Sequence, residues 1–381
     1  MHGRHRRREI LGGRRALIAL GLASVLAAGL LAPQSQTSLV RRVDLPDPFG
    51  GPSRTLFQVN MGKLEPPKFC PKDQLVYPFI VAGYGERIVG SGQKELRFRV
   101  FSQDRETAVD EEVMRMLLRL WETNVSRLRL DHSELYNRRI VDVYLQRGGK
   151  PGGEHLFDED EEGGIVRKVN TIYIYDLATF KDPVEKAREV AHEYGHAALP
   201  PIGTYREPED WANGPLGERI YLTWLAEELE DNRLGPIDVM GATAPQIRAW
   251  IQKNVVPDRD QFALKGLDLK LLGQNSAAAM NAYLGLATWA QAILPERAFA
   301  RSLILTGSQK ATDYAKAVVE AAREQREWVI DPPRELRSKP IWIPLAKGTL
   351  SGGSVDRRQG DWALVRLSAS GTAKITNPPI D

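Results

Sequence analysis

The stretch Ala191-His192-Glu193-Tyr194-Gly195-His196-Ala197 decides how this chain is read. Helix positions four apart lie one above the other, so on a helix His192 and His196 reach a single metal ion from one face. Glu193 then sits where a water polarised by that ion needs a base. The flanks predict that helix. Asp182 is an N-cap, Pro183 suits the first helical position, Glu185 completes a box with Asp182, and Pro200-Pro201 stops the run. Turning about 100° per residue gathers Val184, Ala187, Ala191, Tyr194 and Ala198 on one side. The two histidines point roughly 140° away, beside Glu185 and Glu189. Histidines that avoid the apolar face are poor core residues, which favours a metal site.

A zinc ion set up for hydrolysis takes three protein ligands and one water. The other histidines, His2, His5, His132 and His155, all precede the motif. The longer pattern H-E-x-x-H-x-x-G-x-x-H fails at Leu199 and Ile202. A downstream carboxylate is therefore expected. Asn213-Gly214-Pro215 opens a helix running to Asp231. Glu218 shares its stripe with Leu222, Leu225 and Leu229, where a carboxylate is costly unless it meets a cation. It is the first candidate. Glu228, on the face of Tyr221 and Trp224, is the second, and the loop residues Glu209 and Asp210 come third.

The chain has 381 residues, 42% hydrophobic and 27% charged, a globular composition with room for two or three modules. Its formal charge is +3, but residues 1–32 hold six Arg and one Glu, a local +5, so the rest is near −2. A nearly neutral body argues against nucleic-acid binding. Cys70, the single cysteine, has no partner for an internal disulfide or a Cys-based zinc site. The arginines precede the apolar run Ala16–Ala32, the layout of an export signal. Arg7-Arg8-Glu9-Ile10-Leu11 resembles a twin-arginine motif, which suits export of a folded metalloprotein. A run of this length also serves as a single N-terminal membrane anchor. The expected location is periplasmic or extracellular, with the segment removed or retained.

Proline and glycine mark 33–54 as a linker. Residues 55–101 are expected to form a small β-rich N-terminal region, with strands at Leu75–Val81 and Glu95–Phe101. Thr107–Arg129 has the apolar spacing of a helix in Val109, Val113, Met116, Leu117 and Leu120. Arg139–Leu145 and Asn170–Tyr175 read as strands. Gly148–Gly153 reads as a flexible loop, and the acidic run Asp158–Glu162 as a solvated one. Residues 102–232 would form the core, 233–330 a helical subdomain and 341–381 a small β unit.

Over residues 107–232 the chain resembles the gluzincin metalloproteases. The likeness rests on His192-Glu193-x-x-His196 followed about twenty residues later by a glutamate helix. It implies an α+β zincin-like fold, a Zn2+ cofactor and a peptide or protein substrate. It also implies that Asn170–Tyr175 is the edge strand receiving an extended peptide, and that Tyr221 or Tyr205 stabilises the oxyanion. Where the family often places an aspartate four residues after its ligand glutamate, this chain has Leu222, so Asp176, Asp182 and Asp210 are candidates for orienting a histidine. The expected activity is a zinc endopeptidase with Glu193 as general base. The alternative is a non-catalytic zinc-binding envelope or partner-binding protein of the same fold.

Overall fold

The computed structural model describes residues 36–46, 55–86, 91–105, 107–131, 140–162 and 165–379. The expected export segment and His132 lie outside the described residues. No described helix is long and apolar enough to cross a membrane. The chain is mixed α+β.

Seven strands form one sheet: β1 (Gln36–Pro46), β2 (Thr55–Phe69), β3 (Val76–Gly85), β4 (Glu95–Ser102), β5 (Val141–Gln146), β6 (Gly152–Glu162) and β7 (Ile165–Tyr175), in the order β1-β2-β3-β4-β5-β7-β6. The first four form an antiparallel meander. Helix α1 (Thr107–Thr123) then crosses over, and β4, β5 and β7 run parallel. β6 returns antiparallel to β7 and ends the sheet.

Three expectations change here. The 55–101 region is the meander half of this same sheet, not a separate preface. The proposed linker contains β1, whose Leu45 is buried and whose Val43 packs on the core. The edge strand is β6, not Asn170–Tyr175, and both expected loops, Gly148–Gly153 and Asp158–Glu162, contribute to it. Acidic residues suit an outer strand, because one flank faces solvent and charge discourages stray pairing.

Alternation gives the sheet two faces. Val143, Ile172 and Ile174 face the helices, where α1 contributes Val113, Met116, Leu117 and Leu120. The other face carries Tyr77, Phe101, Tyr144 and Tyr173 around the buried Cys70 thiol. Tyr144 stacks on Phe101 at 5.0 Å and on Tyr173 at 5.3 Å.

After β7 come α2 (Pro183–Ala198) and α3 (Asn213–Glu230), packed against each other, with α2 also on β6 and β7. Then follow α4 (Ala244–Asn254), α5 (Val256–Lys265), α6 (Leu269–Leu272), α7 (Ala277–Ile293), α8 (Glu296–Leu305) and α9 (Ala311–Arg323). The last strands are β8 (Glu327–Ile330), β9 (Ile341–Pro344), β10 (Thr349–Ser351), β11 (Gly353–Gln359), β12 (Trp362–Leu367) and β13 (Ala373–Thr376). They form two three-stranded sheets, β10-β13-β8 and β11-β12-β9. β8 thus pairs within the β unit although it falls in the stretch expected to be helical, 233–330. The Trp289 indole on α7 donates to the Trp342 carbonyl on β9 at 2.7 Å, joining the two parts.

Candidate metal centre

α2 is built as its sequence suggests at both ends. The Asp182 carboxylate accepts from the Val184 N–H at 2.9 Å, Pro183 fills the first turn, and the Leu199 N–H closes the last turn on Gly195. Glu185 does not close a box with Asp182; it accepts from Arg188 at 2.9 Å. Ala187, Ala191, Tyr194 and Ala198 are buried, while His192 and His196 keep partial exposure on the opposite side.

The loop between α2 and α3 folds back on itself. Tyr205 N–H donates to the Asp210 carbonyl, and Ala212 N–H to the Ile202 carbonyl. The turn carries Glu209 over the two rings. Its Oε2 lies 3.2 Å from His192 Nε2 and 3.4 Å from His196 Nε2, and the two Nε2 atoms are 3.3 Å apart. Three atoms at these separations outline one face of a tetrahedron. Ligands at 2.0–2.1 Å from a tetrahedral zinc are about 3.3 Å apart, so the set fits the ion. Two buried acceptors without partners, Glu209 Oε1 and Glu193 Oε2, are consistent with a cation and a water among these groups.

Gly214, at the start of α3, keeps the space open. A Cβ there would fall 2.3 Å from His196 Nε2 and 2.6 Å from His192 Nε2. The helices approach this closely because Gly195 and Gly217 meet at their crossing, where a Cβ on Gly217 would lie 2.6 Å from Gly195 Cα.

The same approach supplies the far sides of the rings. His196 Nδ1 is 2.9 Å from Asn213 Oδ1, and the Asn213 amide donates to the carbonyls of His196 and Leu199. His192 Nδ1 is 3.3 Å from Glu218 Oε2. With both Nδ1 atoms donating, both Nε2 atoms face Glu209 and are the ones a metal would take once deprotonated. Arg188 and Arg219 donate to Glu218 at 2.9 and 3.0 Å, so its buried charge is matched. Burial would raise the Glu218 pKa, but His192 and the two arginines outweigh it and hold the carboxyl below its usual value.

Glu218, expected as the third ligand, thus lies beside His192 Nδ1, and Glu209 is the carboxylate beside both Nε2 atoms. The register of α3 dictates this: Glu218 approaches His192 from the Nδ1 side, leaving the Nε2 side to the loop. Glu228 lies further along α3 and accepts from Arg127 at 3.1 Å, away from the cluster. Tyr221 is fully buried against Tyr194 and donates to Asn124 Oδ1 at 2.7 Å, so it does not face an oxyanion. Tyr205 is 3% exposed, within the core. Asp182 caps α2, and Asp176 accepts from the Gly148 N–H, so neither orients a histidine. Asn213 was not anticipated; the sign available in the sequence was an amide at a helix start facing a histidine that needs an acceptor.

Glu193 is buried against β6. A Cβ on Gly153 would lie 2.6 Å from its side chain. Burial pushes its carboxyl up to about 8, with Glu189 and Glu209 adding to the rise and His192 opposing it. Burial alone would lower the His192 pKa, but Glu209 and Glu218 hold it at about 10. His155 on β6 lies parallel to His196, ring centres 6.3 Å apart, and pairs with Asn170, which donates to the Ala197 carbonyl at 3.1 Å. Burial lowers His155 to about 4, leaving it neutral at pH 7.

No protein-family model matches the chain, and no curated protein matches it.

Proposed function

We propose that this chain is a zinc metallopeptidase with a zincin-like core, more suited to internal than terminal peptide bonds. One observation carries the reading. His192, His196 and Glu209 converge at zinc spacing, with the buried Glu193 carboxylate, whose Oε2 has no partner, on the same helix. A site that only stored zinc would have no use for that buried, costly base.

Zinc, when bound, supplies a Lewis acid that polarises a peptide carbonyl and lowers the pKa of water toward ~7. Glu193 takes the proton of the attacking water and returns it to the leaving amine. Asn213 and Glu218 hold the imidazoles in one tautomer. β6 offers its outer edge to an extended peptide, beside Gly153 and Glu193. The arginine-rich segment before Ala16–Ala32 supports export or anchoring, so the substrates would be peptides outside the cytoplasm.

The test is Glu193→Gln in the zinc-loaded protein, assayed on unfolded protein and peptide mixtures. Cleavage should fall by at least about 10³-fold at unchanged zinc content. Comparable cleavage would overturn the mechanism. No cleavage by the wild type would favour the non-catalytic zinc protein.

A further inference from the structure

On β6 the residues facing the metal centre are Gly153, His155 and Phe157, since alternate residues of a strand share a face. Gly153 lies on Glu193 and His155 on His196. Phe157 comes next, its ring edge-on to His155 with centres 5.0 Å apart. It keeps 48% of its surface accessible. Phe57, Phe98 and Phe101 of the same sheet are at most 1% exposed, whereas Phe69 on β2 is 54% exposed. A large apolar side chain thus sits on the substrate-facing side of the outer strand, one same-face step from the residue covering a proposed ligand.

We propose that Phe157 is a specificity-determining residue, forming an apolar shelf for one bulky aliphatic or aromatic side chain of an extended peptide. This rests on the peptidase reading above. Same-face residues on a strand are about 7 Å apart, and Phe157 is two such steps from Gly153, so a peptide lying along β6 meets Phe157 about four residues from the bond at Glu193. The aromatic ring provides apolar area and an edge or face for another ring. The neighbouring Asp158 and Glu154 point to the other sheet face, so charge does not select at this point.

The experiment uses zinc-loaded protein carrying Glu193→Gln, so that binding is read without cleavage. The probes are capped hexa-alanine peptides with a single Phe moved through each position, measured by calorimetry. Phe at one position should tighten binding about tenfold. Adding Phe157→Ala should remove that preference, Phe157→Leu should keep most of it, and Val329→Ala, at an exposed site on β8, should leave it intact. Zinc content should be equal in all variants. An unchanged positional preference in the Phe157→Ala protein overturns the assignment while leaving the peptidase reading in place. If no peptide binds any form, the peptide-substrate reading itself fails, and the assignment with it. Concentration-dependent dimerisation abolished by Phe157→Ala would also overturn it, assigning the shelf to a second copy of the chain.

Discussion

Each imidazole of the centre has two nitrogens, and the two sides are served by different chemistry. Nε2 faces the loop carboxylate of Glu209; Nδ1 faces Asn213 or Glu218. The histidines and Glu193 were legible because their spacing reads directly as geometry. The choice among carboxylates was not. Glu209 and Glu218 both meet His192, and only the path of the loop and the register of α3 decide which nitrogen each meets. Glu193 leads to a prediction about pH. Its folded carboxyl, near 8, is above the ordinary value of ~4.3, so the folded state holds this proton more tightly. The metal-free protein is therefore expected to lose stability as pH rises from about 5 through 8. Glu193→Gln carries no charge to bury. In chelator-treated protein it should match the wild type at pH 5 and exceed it at pH 9 by a few kcal/mol, on the order of the shift. Denaturant unfolding at both pH values checks this; equal stability at pH 9 would contradict the burial argument.

Helices α1, α2 and α3 and strands β4, β5 and β7 were legible because each carries an uninterrupted period, with helix ends marked by Asp182, Pro183 and Pro200. β6 was not. Its glycines and acidic run resemble a loop until β7 pairs with it over its whole length. β1 was missed because flanking prolines obscured Val43 and Leu45. The α2–α3 crossing was also invisible, since two glycines meet only in three dimensions. It nevertheless sets how closely Asn213 and Glu218 approach the rings. Gly217→Val would force backbones apart, with an expected cost of ~1–3 kcal/mol. Zinc affinity should fall with it, since misplaced supporting groups typically cost about 10–100-fold. Thermal unfolding and a zinc competition titration measure the two effects. A variant with normal zinc affinity would show that the crossing does not position the rings.

At the scale of the molecule, one apolar core runs from the seven-stranded sheet through the helices into the last strands. Trp342 is 1% exposed within it, accepts from Trp289 through its carbonyl, and supports Gly266, where a Cβ would lie 2.7 Å from the indole. The β unit was therefore legible as strands but not as part of the common core. Trp342→Ala should cost ~3–5 kcal/mol and still unfold in one transition, read by denaturant melts with two optical probes. Two separated transitions would mean that the β unit folds alone. The core brings together α2, the 199–212 loop and the start of α3, which carry His192, His196, Glu209 and Asn213. We propose that Glu209 is a ligand and Glu218 a support. Equilibrium zinc titration against a competing chelator, comparing Glu209→Ala with Glu218→Ala, tests it most directly. The expected result is loss of high-affinity binding in Glu209→Ala, and in Glu218→Ala a stoichiometric site weakened about 10–100-fold. Normal zinc affinity in Glu209→Ala, with loss of the site in Glu218→Ala, would contradict it.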